Sequence, residues 1–420
     1  MGAEHISADV DVLIIGAGPA GAIAAALLHN KGYRIRVLER EQFPRFSIGE
    51  SLLPQCMDYI EEAGMLPALQ AAGFQFKNGA AFKFRGQYVD FDFNQKFSPG
   101  HGTTFQVERG RFDKLLADEA SRMGADIRFR HTITAVDFGG DVALVNYTDD
   151  NNTEPGQGVA GQVTARFVLD ASGFGRVLPR LLRLERPSNF PVRMAAFTHV
   201  DDHISDPAHD RHKILVTVHP EHRDVWFWLI PFSDGRCSLG VVAEKSFLER
   251  YGDDPKTILQ SLVAEDEGLS TLLNTAEYNY PARKIVGYSA NVTSLYGDKF
   301  ALLGNAGEFL DPVFSSGVTI AMRSASMASA LLDKQLQGES VDWENDYSVA
   351  LRKGVDTFRT FVEAWYDTRF QDIIFYPRQQ PEVKAMVCSI LAGYAWDENN
   401  PYVAEPARRM RTLAEICKRA

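Results

Sequence analysis

Residues 10–39 read VDVLIIGAGPAGAIAAALLHNKGYRIRVLE. VDVLII is an apolar run short enough for a buried parallel strand. AGAIAAALLHNKG continues as a helix that stops at Gly32, with His29 and Lys31 in its last turn. RIRVLE, residues 34–39, is the next strand, so the stretch is a βαβ unit. Between strand and helix lies GAGPAG. Gly16 permits the tight turn, Gly18 lets the backbone approach a pyrophosphate, and Gly21 allows close helix–strand packing. Pro19 and Ala20 open the helix, whose free N–H groups and positive dipole end face the phosphates. Glu39 closes the second strand eighteen residues after Gly21, where an acid accepts from a ribose hydroxyl, and Arg40 follows it. A lone GxGxxG is a weak signal whose plain alternative is a glycine-rich turn. Strand, helix and acid together favour a dinucleotide site.

Composition sets bounds around this unit. The chain has 420 residues, 45% hydrophobic and 24% charged, enough for a large core and unlike a disordered protein. A net charge of −11 argues against a nucleic-acid surface. Cys56, Cys237, Cys388 and Cys417 have no CxxC spacing, which suits reduced thiols in a cytoplasmic enzyme and no zinc site. MGAEHISADVD lacks the features of a signal peptide, and Ile6 breaks the myristoylation pattern. No apolar run reaches eighteen residues, so no membrane span is expected.

Further along, helical periodicity returns at 52–63 and 111–123. From Phe74 to Phe105, and from about Met194 to Val286, the pattern alternates as in strands, for example in KILVTVHP and VWFWLIP. These two stretches are expected to pair into one antiparallel sheet inserted in the dinucleotide fold. GGDVALVNYTDDNNTEPGQGVAG, residues 139–161, reads as an exposed loop. KFALLG, residues 299–304, returns to the first sheet. A long helix from about Val318 to Leu336 follows, and the tail from Trp343 is mostly helical. The expected fold class is α/β. Its Rossmann-type dinucleotide-binding domain comprises 1–73, 108–190 and 298–340. The inserted antiparallel substrate domain comprises 74–107 and 191–297, and C-terminal helices fill 341–420.

Motifs downstream narrow the class. VLDASG carries Asp170 and Gly173, ALLGNAGEFLDP carries Asn305 and Asp311, and VERGRFDKLL carries Arg109. These resemble the further nucleotide-contact segments of the flavin-dependent monooxygenase superfamily, and the resemblance favours FAD over NAD. Asn305 departs from the aspartate usual there; an amide still bonds a ribose hydroxyl, more weakly than a charged acceptor. FPRFSIGESLLP, with Gly49, Glu50 and Ser51, resembles the GES loop of flavin-dependent halogenases. DVWFWLIPF matches their WxWxIP signature through Trp226, Trp228, Ile230 and Pro231. FLDPVFSSG matches F-x-x-P-x-x-S-x-G, and Val318 continues it. FKNGAAF puts Lys77 where phenol- and pyrrole-type halogenases carry their active-site lysine.

That resemblance implies an FADH2-dependent enzyme installing chloride or bromide on an electron-rich phenol or pyrrole, free or tethered to an acyl or peptidyl carrier protein. Oxidation would run through a flavin hydroperoxide and hypohalous acid, and a separate flavin reductase would supply FADH2, since the chain has one GxGxxG. Ser316 and Gly317 offer N–H groups to the halide at the start of the long helix, an arrangement that aromatic hydroxylases also use without halide. Lys77 would bond hypohalous acid or form a haloamine; by itself, a lysine between Phe76 and Asn78 reads as a solvated turn residue. Trp226 and Trp228, two apart on a strand, share one face, as a wall beside the flavin or as core packing. Phe314 stands where tryptophan halogenases carry a glutamate, so free tryptophan is a poor substrate. Two alternatives stay open: a reductase or dehydrogenase of the geranylgeranyl-reductase type, which shares the GES loop and DP segment, and an aromatic hydroxylase.

Some signals are set aside. Six of the ten histidines fall between His199 and His222, in what read as turns flanking a strand, and no metal site is expected. The stripe Phe358, Phe361, Trp365 and Tyr366 has the helical spacing of core packing first and of a substrate lid second. Arg408, Arg409, Arg411, Lys418 and Arg419 read as a solvated helix face that an acidic carrier protein would complement.

Overall fold

The computed structural model describes residues 8–151 and 158–419. The N-terminal processing expectation rests mainly on residues 1–7, outside that range. Val10–Ile15 is the middle of the first sheet, flanked in parallel by Ile35–Leu38 and by the second half of Val159–Asp170. Asp126–Arg128 and Phe300–Leu302 extend it in parallel on the two sides. The strand Val10–Ile15 is almost wholly buried, as a run without polar alternation requires. The following helix, Pro19–Asn30, is buried over ten of its twelve residues, all small or aliphatic. It is clamped between the helices Arg109–Met123 and Ser316–Leu336.

The second sheet has seven strands in the order Arg283–Val286, Arg193–Asp201, Arg236–Glu244, Trp226–Pro231, Lys213–Val218, Gly79–Phe84 and Gln87–Asp92. Its pairs are antiparallel except where Lys213–Val218 runs alongside Gly79–Phe84. Both faces are covered. Trp226, Trp228 and Ile230 join the large core shared with the first sheet, whereas Phe227 and Leu229 join a smaller core.

That smaller core corrects the expectation of continuous β-structure from Met194 to Val286. The helices Lys245–Leu248, Pro255–Glu265 and Glu267–Leu272 interrupt it and cover the second face. Asp254 caps the middle one through the Thr257 N–H, and Ile258, Leu259, Leu262 and Val263 form its apolar stripe. The loop expected at 139–161 is corrected as well. Ala143–Asp149 is a strand, paired with His131–Asp137 and with the first half of Val159–Asp170. Its alternation, with Ala143 and Val145 buried, was hidden by surrounding turn residues; positions 152–157 of that stretch lie outside the described residues. From Trp343 on the chain is helical, and Phe358, Phe361 and Trp365 are fully buried.

Candidate cofactor and reaction site

A cavity of about 540 Å³ lies between the glycine turn and the second sheet, within the range of cofactor sites. Its first wall is backbone. Gly16 has φ of 95°, and a Cβ there would stand 2.7 Å from Ala171 O. A Cβ on Gly21 would come within 1.9 Å of Gly16 O, so Gly21 lies beneath the turn and not at the cavity surface. Gly18, Pro19 and Ala20 face the cavity at the start of a helix with no side-chain cap, leaving N–H groups for an anion. Glu39 Oε2 accepts from Ala17 N at 2.9 Å and pins the turn to the second strand.

The GES loop forms an adjacent edge, with Gly49, Glu50 and Ser51 at the cavity. It is braced by Arg109, which donates to Ile48 O at 2.5 Å and doubly to Asp113 at 2.7 and 2.9 Å. Arg45, which sequence reasoning overlooked, donates to the same Asp113 at 2.7 Å. Arg40, Gly173, Asn305, Gly317 and Val318 complete this side.

Three expected contact residues instead act through their neighbours. Asp170 is fully buried, outside the cavity, and its carboxylate accepts from Ser172 N and Leu178 N at 2.9 and 2.7 Å, which shapes the Gly173 turn. Asp311 is buried too, with its pKa raised by burial. It accepts from Tyr366 Oη at 2.8 Å, Tyr288 Oη at 3.3 Å and Val313 N at 3.0 Å. Ser316 is buried as the first residue of the helix Ser316–Leu336; Ser315, before it, faces the cavity in the left-handed region with φ of 56°. No side chain caps that helix.

The second wall is made of side chains. Trp226, Trp228, Ile230 and Ile214 face the cavity from the antiparallel sheet. Each indole N–H is anchored away from it, Trp226 on Tyr366 Oη at 3.1 Å and Trp228 on Ser238 Oγ at 3.0 Å. Arg193 stacks over the Tyr366 ring at 3.3 Å.

Lys77 stands behind the GES loop. It is not a solvated turn residue, for it is fully buried in the short strand Gln75–Lys77. Its ammonium donates to Ser51 Oγ and to Leu52 O, each at 2.7 Å, so one side chain of the GES loop separates it from the cavity. No carboxylate is among its hydrogen-bond partners, and burial pulls its pKa down to about 7.

His199 was missed because its cluster read as turns. It lies on the strand Arg193–Asp201, on the cavity-side face with Ala195 and Phe197, and its Nε2 meets Glu50 Oε1 at 2.8 Å. Period-2 alternation was the available signal. His219, from the same cluster, is buried against Glu265 at 3.1 Å.

The residues suit FAD. At Gly18, where backbone must meet phosphate, no side chain stands in the way, and among the described residues Asn305 Oδ1 is buried without a partner, an acceptor open to a sugar or ribityl hydroxyl. No helix among the described residues is long and apolar enough to cross a membrane.

Comparisons with known proteins agree. The family model "FAD binding domain" matches residues 9–355. A 1H-pyrrole-2-carbonyl-(peptidyl-carrier protein) chlorinase of Pseudomonas fluorescens is 28% identical, over 97% of this chain and 94% of the relative. Among solved structures, a flavoprotein/dehydrogenase from Cytophaga hutchinsonii is 43% identical with a TM-score of 0.93, over 97% of this chain and 98% of that one. A flavin-dependent brominase is 26% identical with a TM-score of 0.82, over 98% and 99%.

Proposed function

The chain belongs to the FAD binding domain family, and from that premise we propose that it is an FADH2-dependent halogenase acting on an electron-rich phenol or pyrrole, free or carrier-tethered, with FADH2 delivered by a separate reductase. Reduced FAD, when bound, supplies with O2 the oxidising power that turns chloride or bromide into hypohalous acid. The turn at Gly16–Ala20 and Glu39 hold the nucleotide end. Asn305 accepts from a hydroxyl, and the N–H group of Gly317, at the cavity, takes the halide at the open helix end. Trp226 and Trp228 exclude water, so the oxidant is not lost to solvent.

The observation that carries this reading is Lys77, a buried amine without a carboxylate partner, one side chain behind the cavity. With a pKa near 7 it is partly the free amine at neutral pH. A free amine and hypohalous acid give a haloamine and water; transfer of the halogen to the arene, with loss of the ring proton, restores the amine. A dehydrogenase or reductase is the second reading, favoured by the 43% identity to a flavoprotein/dehydrogenase.

Mass spectrometry of products from reduced FAD, O2, halide and a panel of free and carrier-bound phenols and pyrroles tests both. Halogenated product, reduced at least about 100-fold in Lys77→Ala with FAD affinity kept, is expected. Undiminished turnover in Lys77→Ala removes the lysine's role. A gain of one oxygen or of two hydrogens replaces halogenation with hydroxylation or reduction.

A further inference from the structure

We propose that His199 and Glu50 form a proton inlet from solvent to the cofactor cavity. The inference rests on the halogenase reading for its proton demand. Per turnover, FADH2, O2, one halide ion, one proton and an arene yield FAD, an aryl halide and two waters. Dioxygen takes up four electrons, two from the reduced cofactor and two from the halide–arene pair, while a C–H bond breaks and a C–halogen bond forms. The halide enters without its proton, so one proton must cross the walls in each cycle, and walls built to exclude water do not pass it freely.

Few groups at the cavity can carry it. Among the lining residues, Glu39, Glu41 and His131 gather at the end of the strand Ile35–Leu38, where Glu39 is occupied with Ala17 N and Glu41 N and its backbone O accepts from His131 N. Glu50 is the remaining carboxylate at the cavity. It is 3% exposed and cannot exchange readily with bulk water by itself. Its Oε1 meets His199 Nε2 at 2.8 Å, and the His199 side chain keeps 15% of its surface exposed. Nδ1, on the far side of the ring, has no protein partner among the described residues. The imidazole is therefore two-ended, one nitrogen on the buried carboxylate and the other free for water.

The surroundings hold that orientation. Phe232, Phe46 and Tyr280 stand against the ring at 5.1, 6.0 and 6.3 Å. The charges behind these rings are largely paired. Arg236, over Phe232 and Tyr280, pairs with Glu108 at 3.0 Å and Asp234 at 2.6 Å. Asp201 accepts from Tyr280 Oη at 3.2 Å, and Arg283 stacks over Phe46 at 4.1 Å. Water protonates Nδ1; the Nε2 proton passes to Glu50; the carboxylic acid releases it into the cavity. A swing of the ring away from Glu50 then lets water take the Nδ1 proton and return one to Nε2, which restores the starting tautomer.

The test compares wild type, His199→Ala, His199→Gln and Glu50→Gln as FAD-loaded proteins. His199→Gln keeps a hydrogen-bond donor for Glu50 but relays no proton. Oxidation of the reduced flavin by O2 and yield of halogenated product are followed from pH 5.5 to 9, with FAD affinity measured separately. Slowing of at least tenfold is expected in all three variants, with FAD affinity within twofold in the two His199 variants. Added imidazole should restore His199→Ala in proportion to its protonated fraction and leave Glu50→Gln slow. Wild-type rates in both His199 variants, or slow rates without imidazole rescue, would each overturn the inlet. Wild type that yields no halogenated product, yet shows His199-dependent flavin oxidation, would overturn the halogenase reading and leave the inlet standing.

Discussion

The two walls of the cavity are built by opposite means. The glycine wall is mostly backbone, its turn drawn from residues within a few positions of one another and backed by Ala171, and it is fixed by what it leaves out: no Cβ fits at Gly16 or Gly21. The tryptophan wall is side chains, with its supports brought from far apart. Trp226 hangs on Tyr366 and Tyr366 on Asp311. The turn at the nucleotide end is thus largely local, whereas the tryptophan wall depends on long-range packing. Damage to the first wall should abolish binding, and damage to the second should leave binding while altering reactivity or stability.

The largest expected effect is at Gly21. In Gly21→Ala the new Cβ meets Gly16 O at 1.9 Å, backbone against backbone, so a loss of about 3 kcal/mol or more in stability and loss of FAD on purification are expected. Gly18→Ala sharpens the contrast. Its Cβ would meet only Arg45 Nη2, at 3.6 Å, so apoprotein stability should change by less than about 0.5 kcal/mol while FAD affinity falls. Equal melting temperatures of the two apoprotein variants would break the account of the first wall.

Behind the GES loop, Lys77 gives a pH signature. Its pKa in the fold is about 7 against 10.5 for a free side chain, so the unfolded chain binds more protons between those values. The penalty of burying the charge is full below pH 7 and fades as pH rises toward 10.5. Its contribution to unfolding free energy should climb by up to about 1.4 kcal/mol per pH unit. Chemical denaturation of wild type and Lys77→Met at pH 6, 8 and 9.5 checks this, with the slope flatter in the variant. Identical slopes would mean that the ammonium is solvated.

A smaller effect than at Gly21 is expected at Tyr366. Tyr366→Phe removes a donor to Asp311 and the acceptor of Trp226 Nε1. A loss of about 1–3 kcal/mol in stability is expected, with a shift in indole fluorescence and FAD affinity within twofold. A large loss of FAD would merge the walls into one cooperative unit.

The same division explains what was legible in the sequence. The βαβ unit was readable because strand, glycine turn, helix and acid lie within thirty residues. Trp226 and Trp228 were readable because alternation alone puts both on one face. The helix Pro255–Glu265 carries a capping Asp254 and a clear apolar stripe, and was lost inside a stretch scored only for alternation. His199 was set aside because five neighbouring histidines set its context, when its partner was a carboxylate 149 positions away. Asp170 and Asp311 were found as residues and misplaced as contacts. A motif marks where a side chain is needed, while the tertiary structure decides whether it meets the ligand or the backbone that meets the ligand. Lys77 shows the same limit, since nothing local indicates that Ser51 and Leu52 enclose it.

Tyr366 has one more consequence. Asp311, Trp226 and Tyr366 come from three separate stretches, and the last leaves the ribosome well after the glycine turn has been made. Fastening the indole and the helix-end loop to a residue of the C-terminal helices makes the tryptophan wall lean on a part of the chain that the glycine turn does without.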